Sequence, residues 1–208
     1  MFRVSAIFSL PFLLEINAAG GVWTKVLLLK GAEEGAVCLD GSPGAYYIRP
    51  PLLKVSERNW LVYWSGDGGL CAGDPDCASR SLTSLGSSRY WPDVLPNALP
   101  PGLSPESAAL LKVPPFDAFT VVLVVHCDGT YFSGDNATIG LVDGRPLFFR
   151  GARLRHALLT ELDPRGLGFA DQVLHAGWAT WADKVAHSRQ PGWAAVREVA
   201  DEYRMINT

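Results

Sequence analysis

The 208-residue sequence has no G-x-S-x-G pentapeptide, and no serine at all stands between Ser133 and Ser188. It also lacks a CxxC pair, which removes the usual spacing of a structural zinc site. No GK[ST] follows any glycine-rich stretch, so a phosphate loop is excluded. Basic residues are not in excess: the net charge is −3, which gives no field for nucleic acid or anionic lipid. Internal repeats and low-complexity tracts are absent. The apolar run from Val4 to Leu14 is too short to span a bilayer as a helix, and no other segment has that length. No membrane span is therefore expected.

What is present fits a globular domain. Hydrophobic residues make up 48% and charged residues 19% of the chain, so a real core is expected and disorder is not. Met1-Phe2-Arg3, the Val4–Leu14 run and the small residues Ala18 and Ala19 have the layout of a secretory signal peptide. Residues 1–19 are therefore expected to be a signal peptide and 20–208 a single domain; a buried first strand or helix is the alternative.

Four cysteines form an even set, as suits an oxidising compartment. Cys71 and Cys77 lie six positions apart around Gly73, Asp74 and Pro75 and can close a small loop, which leaves Cys38 and Cys127 to pair across the domain. Zinc is the rival reading. Asn136-Ala137-Thr138 is a glycosylation sequon and agrees with a secreted protein.

Trp60 to Trp64 predicts a strand running into the glycine turn Ser65-Gly66-Asp67-Gly68-Gly69. Thr120 to Val125 is a run of β-branched residues apart from Leu123, which reads as a strand buried on both faces. A polar loop follows from His126 to Asp135. Pro92 to Pro115 is a long proline-bearing connection without periodicity. Leu147 to Leu162 has helical spacing, with Leu147, Gly151, Leu154, Leu158 and Leu162 on one face and Pro164 and Gly166 beyond its end. Gln172 to Leu174 reads as a short strand. Strand, loop, helix, strand is the βαβ pattern of a parallel sheet. Trp193 to Tyr203 reads either as a helix or, over Val196 to Ala200, as a strand with Asp201 at its end.

The Gly68-Gly69 pair after a strand is the first candidate site. Backbone N–H groups in such a turn converge on an anionic oxygen, because glycine tolerates the dihedrals required. One well-aimed donor of this kind is worth roughly 3 kcal/mol in a transition state. An ordinary tight turn is the alternative.

Cys38-Leu39-Asp40-Gly41-Ser42-Pro43-Gly44-Ala45-Tyr46-Tyr47 resembles the opening motif of pectin acetylesterases and Notum carboxylesterases. Further likenesses follow in order. Asp67-Gly68-Gly69-Leu70-Cys71 is similar to the family's GGGWC-type motif, and Ser87-Ser88-Arg89-Tyr90-Trp91-Pro92 to its next motif. Cys127-Asp128-Gly129-Thr130-Tyr131-Phe132-Ser133-Gly134-Asp135 resembles its CDGxxFSGD motif, and Phe148-Phe149-Arg150-Gly151-Ala152-Arg153 its YFRGxR helix start.

The resemblance implies an α/β fold: a partial α/β-hydrolase-like, mostly parallel sheet with flanking helices, incomplete on its C-terminal side. It implies removal of acyl groups from an ester substrate such as an acylated polysaccharide, with no cofactor and no metal. It supports pairing of Cys38 with Cys127 and of Cys71 with Cys77, and backbone N–H donation to an oxyanion by Gly69 and Leu70. Leu70 replaces a tryptophan there, which changes a pocket wall and not a backbone donor.

The likeness breaks where the family carries its serine turn, which lifts a hydroxyl clear of the sheet. Here Leu174 is followed by His175-Ala176-Gly177-Trp178-Ala179-Thr180-Trp181. The simplest expectation is that on the order of ten residues around the strand–turn–helix joint are missing. Thr180 as a stand-in nucleophile with His175 as base lacks the glycine flanks of a sharp elbow. His126, His156 and His187 receive no role; His156 falls on the helix surface, and Trp178 and Trp181 read as core. The acid and histidine that follow the serine in such enzymes find no counterpart here, and a sheet cut short would expose an edge. Two functions are therefore expected in competition: an ester hydrolase represented by an incomplete chain, and a secreted non-catalytic binding protein on the same scaffold.

Overall fold

The computed structural model describes residues 21–53, 58–66, 70–95 and 98–177. The expected signal peptide, the Val196–Ala200 strand or helix, Trp178, Thr180, Trp181 and His187 all lie outside the described residues.

Six strands form the central sheet: β1 (Trp23–Leu27), β2 (Ala45–Arg49), β3 (Asn59–Trp64), β4 (Val94–Leu95), β5 (Thr120–Val124) and β8 (Gln172–Gly177), in the order β4-β1-β2-β5-β3-β8. β5 and β8 both pair with β3 in parallel, and β2 is antiparallel to β1 and to β5. β4 is antiparallel to β1, so β1, β5, β3 and β8 run one way and only β2 and β4 the other. The sheet is mixed with one dominant direction, and its helices flank it: an α/β-hydrolase-like arrangement. A separate hairpin joins β6 (Gly140–Val142) to β7 (Arg145–Leu147).

The strand sequences explain the layers. All of β5 is buried, as its uninterrupted run of Thr, Val and Leu predicts. It lies between β2 and β3 with side chains packed on both faces. On one face Tyr47, Leu61, Tyr63, Val121 and Leu123 pack with Trp91, Leu103 and Leu111. On the other, Tyr46, Trp60, Val62, Val122 and Val124 meet Leu158 and Leu162 of α4 (Gly151–Leu162). The period-2 alternation of each strand thus feeds two separate apolar layers.

The helices carry ordinary start signals. α2 (Asp74–Arg80) has Pro75 and two aspartates in its first turn and Arg80 in its last, matching the macrodipole. Asp76 pairs with Arg80 at 3.0 Å. Ser104 Oγ accepts the Ser107 amide at 3.2 Å and so caps α3 (Pro105–Leu110). Both α3 and β4 fall inside the stretch from Pro92 to Pro115 that reads as an irregular connection, because elements of six and two residues are too short to show a period. α1 (Leu29–Glu33) lies against α4.

Two boundaries differ from sequence expectation. The helix begins at Gly151 and not at Leu147, which is the last residue of β7 and is buried with Cys77 and Ala78. Asp143 and Gly144 both have positive φ, so they form the tight two-residue turn of a hairpin and draw Leu147 into a strand. β8 runs three residues past Leu174, because the imidazole of His175 packs on Trp64 and keeps the ladder with β3 intact as far as Trp64 and Gly177.

Candidate functional site

β3, β5 and β8 end level, with Trp64 opposite both Val124 and Gly177. Ligands in such sheets bind beyond the carboxyl ends of the strands, and the residues there come from three motifs distant in sequence.

The segment expected to form the glycine turn follows β3 at this edge. Gly68 and Gly69 lie outside the described residues, but the residues on either side of them make defined contacts. On the strand side, Ser65 is buried; its N–H donates to Val124 O at 3.0 Å and its Oγ accepts the His126 N–H at 3.1 Å. On the far side, the Cys71 N–H donates to Gly129 O at 3.3 Å, and Cys71 is bonded to Cys77 in α2 with Cα atoms 5.2 Å apart. Leu70 between them is 57% exposed, so its side chain stands in solvent where a pocket wall is expected. The second disulfide joins Cys38 to Cys127, Cα atoms 5.0 Å apart, and anchors the loop after β5 to the segment before β2. Both expected pairings are present, and among the described residues no His, Cys, Asp or Glu cluster suits a metal.

The loop from Cys127 to Gly134 is organised by Asp128. This carboxylate has no solvent exposure. It accepts from the Thr130 amide at 3.0 Å, from the Thr130 hydroxyl, and from the Phe132 amide at 3.2 Å. His126 Nε2 lies 3.2 Å from its Oδ1 and 3.0 Å from the Tyr131 amide nitrogen. Unprotonated, that nitrogen accepts from Tyr131; protonated, it donates to Asp128. Burial works against the Asp128 charge, yet His126, Thr130 and the Phe132 amide together hold its carboxyl below the ordinary aspartate value. Tyr131 and Phe132 both take positive φ, a conformation non-glycine residues seldom adopt. Phe132 is held in it by its buried ring, edge-on to Trp64 at 5.1 Å, and by its amide bond to Asp128. Sequence reading treats residues 126–135 as a polar loop and gives His126 no role; only the apolar run leading straight into His126 and Asp128 hints that they are buried.

His175 sits inside β8, buried, with its Nδ1 accepting the Trp64 indole N–H at 3.1 Å. Burial pushes its pKa down to about 4, so the ring is neutral at physiological pH. It is a core histidine, and its bond to Trp64 occupies the nitrogen a base on that side needs. Because the native pKa lies below the unfolded value near 6.5, His175 supports the fold above pH 6.5 and that support drains away as pH falls toward 4. Urea unfolding at pH 7.0 and 4.5 should show a contribution of about 2.5 kcal/mol lost from this group, and the His175→Leu variant should show a correspondingly flatter pH dependence. His156, by contrast, is exposed on α4, as its place on the helix surface predicts.

β8 ends at Gly177, whose φ of 151° and position against the Trp64 carbonyl oxygen leave no room for a Cβ. Glycine is required at this strand end.

The family model described as pectinacetylesterase matches residues 18–182. The chain belongs to that family. Among its pectinacetylesterase relatives, pectin acetylesterase 5 of Arabidopsis thaliana is 35% identical over 145 residues, covering 70% of this chain and 32% of that protein. Pectin acetylesterase 11 of the same plant is 33% identical over 185 residues, 88% of this chain and 44% of its own length. The inactive palmitoleoyl-protein carboxylesterase notum1b of Danio rerio is 33% identical over 113 residues, 53% of this chain and 73% of that protein. The chain therefore spans about a third to under half of the plant pectinacetylesterases it matches, and the motif resemblance is borne out across both branches.

Proposed function

We propose that the protein is a scaffold of the carboxylic ester hydrolase type, directed at acylated polysaccharide or a related ester, and that these 208 residues do not turn substrate over. The observation that carries the hydrolase reading is the pair of anchors on either side of Gly68 and Gly69: Ser65 is bonded to β5, and Cys71 to both Gly129 and Cys77. Such anchoring favours fixed backbone donors at Gly68, Gly69 and Leu70, and preorganised donors are the largest electrostatic contribution to acyl transfer. The hydrolase still needs a hydroxyl on a strained turn at the end of a neighbouring strand. β8 supplies the strand and the terminal glycine, but Trp178-Ala179-Thr180 follows, with alanine where the pattern counted from Gly177 asks for serine.

The purified chain is expected to unfold cooperatively and to hydrolyse p-nitrophenyl acetate no faster than buffer, with Thr180→Ala unchanged. Turnover abolished by Thr180→Ala would refute the inactive state. Sequencing the transcript from Gly177 to Ser188 tests the companion idea: an isoform with a serine turn there makes this chain a partial representative of an active esterase.

A second reading, a secreted binding protein without catalysis, is favoured by the unbroken β8 ladder, which shows no gap before Gly177. It is in keeping with the zebrafish relative named as inactive. Both readings place the chain in the secretory pathway, to which its two disulfides are suited. Asn136 is exposed, and its Oδ1 accepts the Thr138 amide at 2.9 Å in an open loop. Expression in animal cells should yield medium-borne protein with one glycosidase-sensitive mobility shift, absent from Asn136→Gln; an unshifted secreted product would remove the glycan.

A further inference from the structure

A cavity of about 80 Å³ lies between β1, β2 and α3. One of its lining residues, Arg49, pairs with Val121 near the start of β5, at the opposite end of the sheet from the candidate site. Trp23, Leu95, Leu99 and Ala108 make the walls apolar, and the exposed Lys112 stands at the outer side. No lining residue is acidic. The space is far below the roughly 300–1,000 Å³ of pockets for drug-sized ligands. It is several times the roughly 10–15 Å³ that holds one water.

Arg49 is a buried cation without a matched counter-charge. It is 2% exposed, and among the described residues no carboxylate stands within ion-pair distance. Its Nη2 donates to Leu111 O at 2.9 Å and to Phe116 O at 3.4 Å, and its Nη1 to Pro50 O at 3.4 Å. Its Nε has no partner. The side chain has little freedom to find one. Its Cζ lies 5.7 Å from the Trp23 ring centre, and Gly21 packs so close that a Cβ there would stand 2.5 Å from Arg49 Cδ. Carbonyls orient the guanidinium without cancelling it. Burial pulls its pKa down to about 10, and the Asp117 charge offsets only part of that.

We infer that this cavity binds a halide ion, chloride above all, through Arg49 Nε, with Lys112 drawing the ion in. Both Nη atoms already donate to carbonyls, which disfavours the two-pronged grip that arginine gives a carboxylate or phosphate. A spherical ion needs only the one N–H. A doubly charged anion would bring more charge than one buried guanidinium balances. A water at Nε would leave the positive charge unmatched, and it would meet mostly apolar side chains where about two to four polar partners are needed. Weakly hydrated halides suit such walls.

Thermal unfolding of the 208-residue protein in sodium chloride, against sodium gluconate of equal ionic strength, tests this. Gluconate is too large for the cavity. Chloride should raise Tm saturably, by about 2–4 °C at about five times its dissociation constant. The chloride-35 resonance should broaden with protein and narrow again when bromide competes. Lys112→Glu should raise the half-saturating chloride concentration several-fold, and its exposure spares the fold. Arg49→Gln should abolish the chloride response. Arg58→Gln, at the exposed Arg58–Asp171 pair, should leave it unchanged. Coincident chloride and gluconate curves would show that water alone fills the cavity and would overturn the assignment. A chloride response kept by folded Arg49→Gln, unmoved by Lys112→Glu, or equally weakened by Arg58→Gln would overturn it as well.

Discussion

Replacing Cys38 and Cys127 together by alanine is expected to lower stability by about 4–5 kcal/mol, the largest effect of any change considered. The bond closes a loop of 89 residues, and the entropy removed from the unfolded chain grows with the logarithm of loop length. Removing Cys71–Cys77 should cost about 2 kcal/mol by the same relation, because that bond closes a loop of only six. Loop length sets the order of the two. Denaturant unfolding of the two double variants measures the difference directly, and a Cys71/Cys77 variant weaker than the Cys38/Cys127 one would show that native contacts, not loop closure, decide. A functional contrast is expected in the opposite sense. Cys71 lies next to the glycine turn, so its loss should raise amide hydrogen exchange around Leu70 with little global cost.

Asp128→Ala should cost about 3–5 kcal/mol at pH 7, because it strands a set of buried donors in one step. Thr130 and Phe132 direct N–H and O–H groups at this carboxylate, His126 Nε2 lies 3.2 Å from it, and it has no solvent exposure. Two positive-φ residues in the loop lose a restraint that opposes their strain. Asp128→Asn keeps the size but turns an amide N–H against the donors, so a smaller loss of about 2–3 kcal/mol is expected. The native carboxyl titrates below its unfolded value, so its support is complete above the ordinary aspartate pKa and is lost as pH falls through the native one. Wild type and Asp128→Ala should therefore converge in stability in acid. A difference under about 1 kcal/mol at neutral pH, the net worth of one ordinary hydrogen bond, would show that the loop is held by the Cys38–Cys127 bond alone.

These two predictions meet in one place. The disulfide fixes where the chain leaves β5, Asp128 fixes how the following loop turns, and Gly129 passes that geometry to Cys71 through its carbonyl. Loss of either anchor should loosen Leu70 and Cys71 without touching them.

Much of this was legible in the residues. Trp60 to Trp64 and Thr120 to Val125 announce buried strands because side-chain identity there answers to both faces of a sheet. The leucines of α4 announce its buried face because a 3.6-residue period has one consequence in a helix. β1 and β2 announce little. Their five-residue stretches mix Lys25 and Arg49 into apolar neighbours, since Lys25 reaches Asp93 at 2.7 Å and Arg49 reaches the Leu111 carbonyl at 2.9 Å, both distant in sequence. The burial of His126 and Asp128 is hidden for the same reason: a polar residue is inside only if partners come to it, and those partners are chosen by the turn of the loop.

Residue order was enough to show that one apolar strand runs into a glycine-rich stretch and another into a polar loop, that the cysteines are even in number, that one helix has a leucine face, and that no serine stands between the last strand and Ser188. Those properties follow from residue type, count and period. The packed fold was needed to show that β8 continues to Gly177, that a hairpin absorbs Leu147, that Asp128 is a buried hub, and that Arg150 and Arg153 converge beside Gly35. Each of these joins side chains whose meeting depends on how helices and sheet stack, which no local pattern along the chain encodes.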